Sequence, residues 1–77
     1  MNTKEQIVAI LHEVKPTKNL ENITDIIDGG YIDSFELMSL VMRLNEVFSI
    51  EISLDDLVPE NFNSAEGICK MVERLKA

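Results

Sequence analysis

The sequence predicts an all-α domain with three main helices, one short helix before the last of them, and a long loop after the first. Three stretches place apolar residues at helical spacing, with Pro and Gly residues between them. The only alternating run that would suit a strand, Ile50-Glu51-Ile52, has no partner. With 77 residues the chain is long enough for one domain, expected to span 1–77.

The first helix is predicted from Thr3 to about Val14. Thr3 and Gln6 have the spacing of a capping box, and Pro16 ends the helix. A single apolar stripe follows the helical period, at Ile7, Ile10, Leu11 and Val14. This spacing predicts one face turned to the core.

The stretch 15–32 has no strong period, and we expect a long loop there. Its aliphatic residues are scattered along it, at Leu20, Ile23, Ile26, Ile27 and Ile32. Loops of this length inside a small domain tend to be functional, and these side chains indicate that it packs across the helices. Asp28-Gly29-Gly30 predicts a turn just before the next helix.

The second helix is predicted over Asp33–Phe48, with Asp33 and Glu36 at capping-box spacing. Six apolar residues fall within an arc of roughly 120° and form its core face: Leu37, Leu40, Val41, Leu44, Val47 and Phe48. Phe35, Met38 and Met42 share a separate arc of roughly 60°. We interpret this second apolar arc as a docking surface, the alternative being that the long loop folds over it.

Two further helical segments complete the prediction. Ser53 to Asp56 starts a short helix that ends near Pro59. Asn63 or Ser64 caps the last helix. Its apolar stripe is Ile68, Met71, Val72 and Leu75.

Charge and composition exclude several classes of partner. Seven basic against fourteen acidic residues give a net charge of −7 and a pI near 4.5, unsuited to nucleic acid and to anionic membranes. Between Glu21 and Glu66 lie eleven of the fourteen acids and one base, Arg43. Such a stretch either keeps the domain soluble or attracts a basic partner surface. We also expect a monomer, no membrane insertion and, from the single cysteine, a reducing cytoplasm.

The sequence offers no combination of side chains typical of catalysis, so the prediction is that the protein is not an enzyme. His12 is alone, and Cys69 reads as a small, partly buried apolar residue. The aspartates Asp25, Asp28, Asp55 and Asp56 lack the spacing of a dedicated calcium loop, so no metal site is predicted.

The remaining candidate is Asp33-Ser34, at the start of the second helix. Both residue types are common helix starters, which is their ordinary explanation. Here, however, they follow a glycine turn and precede the apolar Phe35. A serine at this position places an alcohol where backbone N–H groups and the helix dipole favour an attached phosphate.

The run Gly30-Tyr31-Ile32-Asp33-Ser34-Phe35-Glu36-Leu37 resembles the attachment motif of acyl and peptidyl carrier proteins, and the order of helices is similar along the whole chain. The resemblance implies a four-helix carrier-protein bundle in which Ser34 bears 4′-phosphopantetheine. This group comes from coenzyme A through a magnesium-dependent phosphopantetheinyl transferase, with Asp33 as the neighbouring acid. It also implies partner contacts along the second helix, at Phe35, Glu36, Met38 and Met42.

The type of carrier is a finer question. Asp-Ser-Phe and the segment 58–64 look more like D-alanyl and free-standing peptidyl-type carriers, although Phe62 stands where the D-alanyl family often has tryptophan. A discrete carrier, charged by an adenylation-type ligase and serving downstream transferases, is therefore the first hypothesis. A fatty-acid-synthesis carrier is the alternative. A third possibility is an interaction module that keeps the fold without the arm.

Overall fold

The computed structural model describes residues 2–77, which form four α-helices and no strand. The predicted all-α class is therefore confirmed. The helices are α1 (Thr3–Val14), α2 (Ser34–Phe48), α3 (Pro59–Phe62) and α4 (Ala65–Lys76), with a 3₁₀ turn at Leu54–Asp56. None of the helices within residues 2–77 has the length and apolar character needed to cross a membrane.

The start of α1 is capped by Asn2 rather than by Thr3. Asn2 Oδ1 accepts a hydrogen bond from the Glu5 amide at 2.8 Å, and the Asn2 amide donates to Glu5 Oε1 at 3.0 Å. The predicted Thr3–Gln6 pair is therefore wrong by one residue at each position. The reason is that asparagine is a better cap than threonine, and glutamate completes the reciprocal pair.

The core lies where α1 packs against α2 and α4. On α2, the predicted core face is confirmed, because Leu40, Val41 and Leu44 are buried and the other three residues of that arc are partly buried. The fourteen buried apolar residues are Ile7, Ile10, Leu11, Leu20, Ile26, Ile32, Leu40, Val41, Leu44, Phe62, Ala65, Ile68, Met71 and Val72.

The long loop between α1 and α2 belongs to this core, as its aliphatic residues predicted. Leu20, Ile26 and Ile32 are buried, and Ile23 and Ile27 are partly buried against them. Burial of these side chains offsets part of the entropy lost in ordering so long a connection. The loop is consequently a fixed part of the domain that leads directly to the start of α2.

The short helical segment differs from its prediction. The sequence predicts a single short helix that ends near Pro59, but a 3₁₀ turn over Leu54–Asp56 is followed by a separate helix that Pro59 begins. Proline suits the first position of a helix, where its fixed φ is already helical and no amide hydrogen is needed. The proline therefore starts α3 rather than stopping the preceding turn.

The last helix is capped by Ser64, whose Oγ accepts from the Gly67 amide at 2.9 Å. Asn63, the other candidate, has a different role. Its Oδ1 accepts from the amides of Ile27 and Asp28 at 2.9 and 3.1 Å. Its Nδ2 donates to Asp28 Oδ2 at 3.0 Å.

Asn63 thus fastens the long loop to the junction of α3 and α4. Its backbone carbonyl adds a fourth bond by accepting from the Ile26 amide at 2.9 Å. Every polar atom of this side chain amide is engaged with the loop, so the turn before α2 is held by a residue more than thirty positions along the chain.

We expect Asn63→Ala to lower the free energy of unfolding by about 1–3 kcal/mol, because the partly buried amide of Ile27 loses its acceptor. Chemical denaturation measures this change. Asn22→Ala, at an exposed asparagine of the same loop, is the matched control and should change stability little. Equal effects of the two substitutions would contradict the assigned role of Asn63.

Candidate functional site

The first turn of α2 is fixed by a capping box. Asp33 Oδ1 accepts from the Glu36 amide at 2.8 Å, and the Asp33 amide donates to Glu36 Oε1 at 3.0 Å. Ser34 is the first residue of the helix and is exposed. The predicted cap is confirmed, and it places the serine hydroxyl at the surface beside the positive end of the helix dipole.

Two backbone amides remain available at this helix end. The amides of Ser34 and Phe35 have no intrahelical acceptor by position, and no other hydrogen bond within residues 2–77 uses them. A phosphate esterified to the serine oxygen would lie at this helix end, where free backbone amides favour an anion. The local geometry therefore fits a phosphodiester on this hydroxyl.

A glycine turn leads the chain into this site. Gly30 has φ of +72°, a conformation that other residues adopt only with strain. At Gly29, a Cβ atom would lie 2.7 Å from the Asp25 backbone oxygen, so a side chain does not fit there. After the turn, Ile32 is buried, which anchors the two residues that follow it.

The end of α1 is also tied to this turn. Lys15 Nζ lies 3.4 Å from Glu36 Oε2, while the other carboxylate oxygen of Glu36 accepts from the Asp33 amide. Both oxygens of Glu36, a predicted partner contact, are thus already engaged inside the domain. The pair connects the first helix to the serine-bearing turn of the second.

The second apolar arc of α2 faces solvent. Phe35 is 80% exposed, Met38 48% and Met42 69%, and these three residues are called the α2 stripe below. The long loop packs on the core and leaves the stripe uncovered. The alternative prediction that the loop folds over these residues is therefore wrong.

On the side of α2 that faces α1, Arg43 forms ion pairs with two glutamates. Its Nε and Nη2 donate to the two carboxylate oxygens of Glu13 at 3.0 and 3.3 Å, and its Nη1 donates to Glu46 at 2.7 Å. These hydrogen bonds lower the pKa of Glu13 below its ordinary value and raise the pKa of Arg43. The positive charge in the acidic stretch is thus largely compensated within the domain.

The other candidates from the sequence stay apart from this site. His12 is exposed on α1, and Cys69 is partly buried on α4, as predicted. Among residues 2–77, no three His, Cys, Asp or Glu side chains come together in a way that could hold a metal ion. The candidate site at the start of α2 therefore consists of the polar residues Asp33 and Ser34 and the apolar residue Phe35.

A comparison with known protein families identifies the family to which this chain belongs. Residues 5–72 match the family described as "Phosphopantetheine attachment site". The chain belongs to this family. Its cofactor is therefore a covalently attached 4′-phosphopantetheine, and its function is that of a carrier of acyl or aminoacyl groups. The resemblance found in the sequence is confirmed.

Similar proteins cover nearly the whole chain. A D-alanyl carrier protein of Bacillus mycoides (strain KBAB4) is 28% identical over 75 residues, which is 95% of each chain. A D-alanyl carrier protein of Streptococcus equi subsp. zooepidemicus is 24% identical over 81 residues, covering 99% of this chain and 98% of its own. The D-alanyl carrier protein of Bacillus cereus (strain B4264) is likewise 28% identical over 75 residues.

Sequence reasoning missed one exposed residue of this carrier. Leu54, in the 3₁₀ turn after α2, is 85% exposed, more than any residue of the α2 stripe. It lies outside any apolar period, and its spacing predicts only that it belongs to a short helix. A large aliphatic residue within an acidic stretch, beside Asp55, was the available signal.

Proposed function

We propose that Ser34 is the residue that bears 4′-phosphopantetheine, in a single carrier domain spanning residues 1–77 that performs no catalysis of its own. The observation that carries this proposal is the exposed Ser34 hydroxyl at a capped helix start, with the Ser34 and Phe35 amides available beside it. A phosphate attached there would lie at the positive helix end, where free backbone amides favour an anion.

Asp33 has two roles in this proposal. One carboxylate oxygen caps α2 by accepting from Glu36, and the other makes no hydrogen bond within residues 2–77. An acid with an available oxygen next to the serine suits the magnesium that the transferase uses, since this ion prefers carboxylate ligands. On attachment, the Ser34 oxygen loses its proton and forms a bond to phosphorus, while the bond from phosphorus to the nucleotide portion of coenzyme A breaks.

Partner enzymes then act on the thiol at the end of the arm. They comprise a ligase that charges the thiol and transferases that remove the cargo, once the phosphopantetheinyl transferase has attached the arm to Ser34. The α2 stripe supports a docking role, because three large apolar side chains are exposed on the helix that begins with Ser34. Methionine side chains also adapt to several partner surfaces.

Incubation of the apo protein with coenzyme A, Mg²⁺ and a promiscuous transferase should add one arm of roughly 340 Da, and Ser34→Ala should abolish the addition. Intact-mass spectrometry measures both. Ser39→Ala, which removes a hydroxyl from the same helix, is the control and should leave the addition unchanged.

The same experiment tests the alternative of an interaction module that carries no arm. In that case the wild-type protein gains no mass, and the Ser34→Ala protein binds its partners normally. A mass gain that persists in Ser34→Ala would instead place the attachment on another residue.

For the cargo, we propose an aminoacyl group loaded by an adenylation-type ligase. The three similar proteins named above are D-alanyl carrier proteins, which supports this. Two positions depart from the D-alanyl family pattern: Phe62 stands where tryptophan is common, and Ala65, which follows the cap Ser64, stands where proline is common. Both residues are buried, so they affect packing of the core rather than the surface around Ser34.

Intact-mass measurement of the protein from its native cell should show the arm plus one small aminoacyl group. Treatment with hydroxylamine should remove that group, because it cleaves thioesters, and leave the arm in place. A long fatty-acyl mass on the arm would contradict the aminoacyl proposal and favour a carrier of fatty-acid synthesis.

We expect Met38→Glu to leave the fold intact and to weaken transfer from the loading enzyme, because Met38 is about half exposed and sits within the α2 stripe. Thermal unfolding and the loading rate measure the two effects. Leu40→Glu, on the buried face of the same helix, is the contrasting control and should unfold the domain. Unfolding of Met38→Glu where the parent stays folded would assign Met38 to the core.

A further inference from the structure

A surface cavity of about 480 Å³ lies between the end of α1 and the side of α2 that faces it. Asp33 and Phe35, the residues on either side of Ser34 in the chain, both line this cavity. Val14 lines it from α1, and its side chain is partly buried against the core. The cavity therefore begins next to the proposed attachment residue and has an apolar side chain from each helix in its wall.

Two ion pairs link the end of α1 with α2 and border this cavity. Glu36, which lines it near the start of α2, is paired with Lys15 at 3.4 Å. Further along α2, Glu13 and Arg43 both line it and are paired at 3.0 Å. The two helices also pack against each other in the core. The walls of the cavity are therefore already in place before a ligand enters it.

Arg43 retains hydrogen-bond donors for a ligand in this cavity. Each terminal nitrogen of a guanidinium carries a pair of N–H groups. One N–H of Nη1 donates to Glu46 and one of Nη2 to Glu13, while the other N–H of each nitrogen makes no hydrogen bond within residues 2–77. Because two carboxylates already balance the positive charge, these donors suit a neutral carbonyl oxygen better than an anion.

The arm on Ser34 has the chemistry and the length that this cavity requires. Between its phosphate and its thiol the arm is uncharged, with geminal methyl groups followed by two amides. Extended from phosphorus to sulfur, it is about 15 Å long, judged from the spacing of backbone-like bonds. The helix rise from Ser34 to Arg43 is about 14 Å. Its methyl groups can therefore lie near Val14 and Phe35 while an amide carbonyl lies near Arg43.

We propose that the uncharged part of the 4′-phosphopantetheine arm rests in the cavity between α1 and α2, with its methyl groups against Val14 and Phe35 and an amide carbonyl accepting from Arg43. This inference rests on the proposed attachment at Ser34. The phosphate stays outside, at the free amides of the helix end, because carboxylates border the cavity and repel an anion. Between enzymes the arm is then held along α2 and does not extend freely into solvent.

NOE spectra of the holo protein, carrying an arm labelled with ¹³C at its geminal methyl groups, locate the arm. We expect NOEs from these methyl groups to the methyl groups of Val14. Ile52 reports on another side of α2, because its amide donates to Asn45 at 2.9 Å and Asn45 lies about 160° from Arg43 around the helix axis. NOEs to Ile52 instead of Val14, or no NOE between arm and protein, would overturn the proposal.

Arg43→Met removes the donors and keeps a long side chain, so it should release the arm. With ¹⁵N in the arm amides, the order parameter of at least one amide should be about 0.8 in the wild type and fall below about 0.6 in the variant. Arg74→Met, which removes an exposed guanidinium from α4, is the matched control and should keep the wild-type value. Equal arm mobility in the wild type and Arg43→Met would also overturn the proposal.

These results remain distinct from those for attachment. Failure of the wild-type protein to gain an arm would count against Ser34 as the attachment residue. An arm that is present on Ser34 but shows no NOE to Val14 would refute its resting position alone.

Discussion

The reciprocal hydrogen bonds between Asp33 and Glu36 are the interaction on which the rest of the structure depends. They satisfy the amide of the third residue of α2 and orient the first turn, leaving the amides of the first two residues, Ser34 and Phe35, available. Lys15 ties the same glutamate to the end of α1. The serine therefore lies at a rigid helix end. A serine in a loop would be more mobile.

The rigidity of this end has a second source in the long loop. A domain of 77 residues has a small core, and a connection this long would ordinarily be mobile. Here Ile26 and Ile32 enter the core, while Asn63 holds the intervening turn through its side chain amide. The loop therefore contributes to stability and also delivers the chain to α2 in one conformation.

Surface charge and apolar exposure are distributed unequally around α2, and this matters for a carrier that must meet several enzymes. The acidic stretch does not surround the helix evenly, because Arg43 is paired toward α1 while the acids near Leu54 are not paired. Exposed apolar side chains provide contact area, and the charges orient the approaching partner. A carrier of this kind retains apolar surface that a domain selected only for stability would bury.

The sequence by itself determined the three main helices, the core face of α2 and the cap at Asp33 that places Ser34 at the helix start, because apolar periodicity and capping are local in the chain. It also identified the α2 stripe, since the core arc was already filled. Tertiary structure alone decided the role of Asn63 and the side of α2 that Leu54 flanks. The role of Asn63 depends on a contact with Ile27, which is distant in the chain. The position of Leu54 depends on a chain reversal after α2 that brings Ile52 to Asn45. No local pattern encodes such pairings.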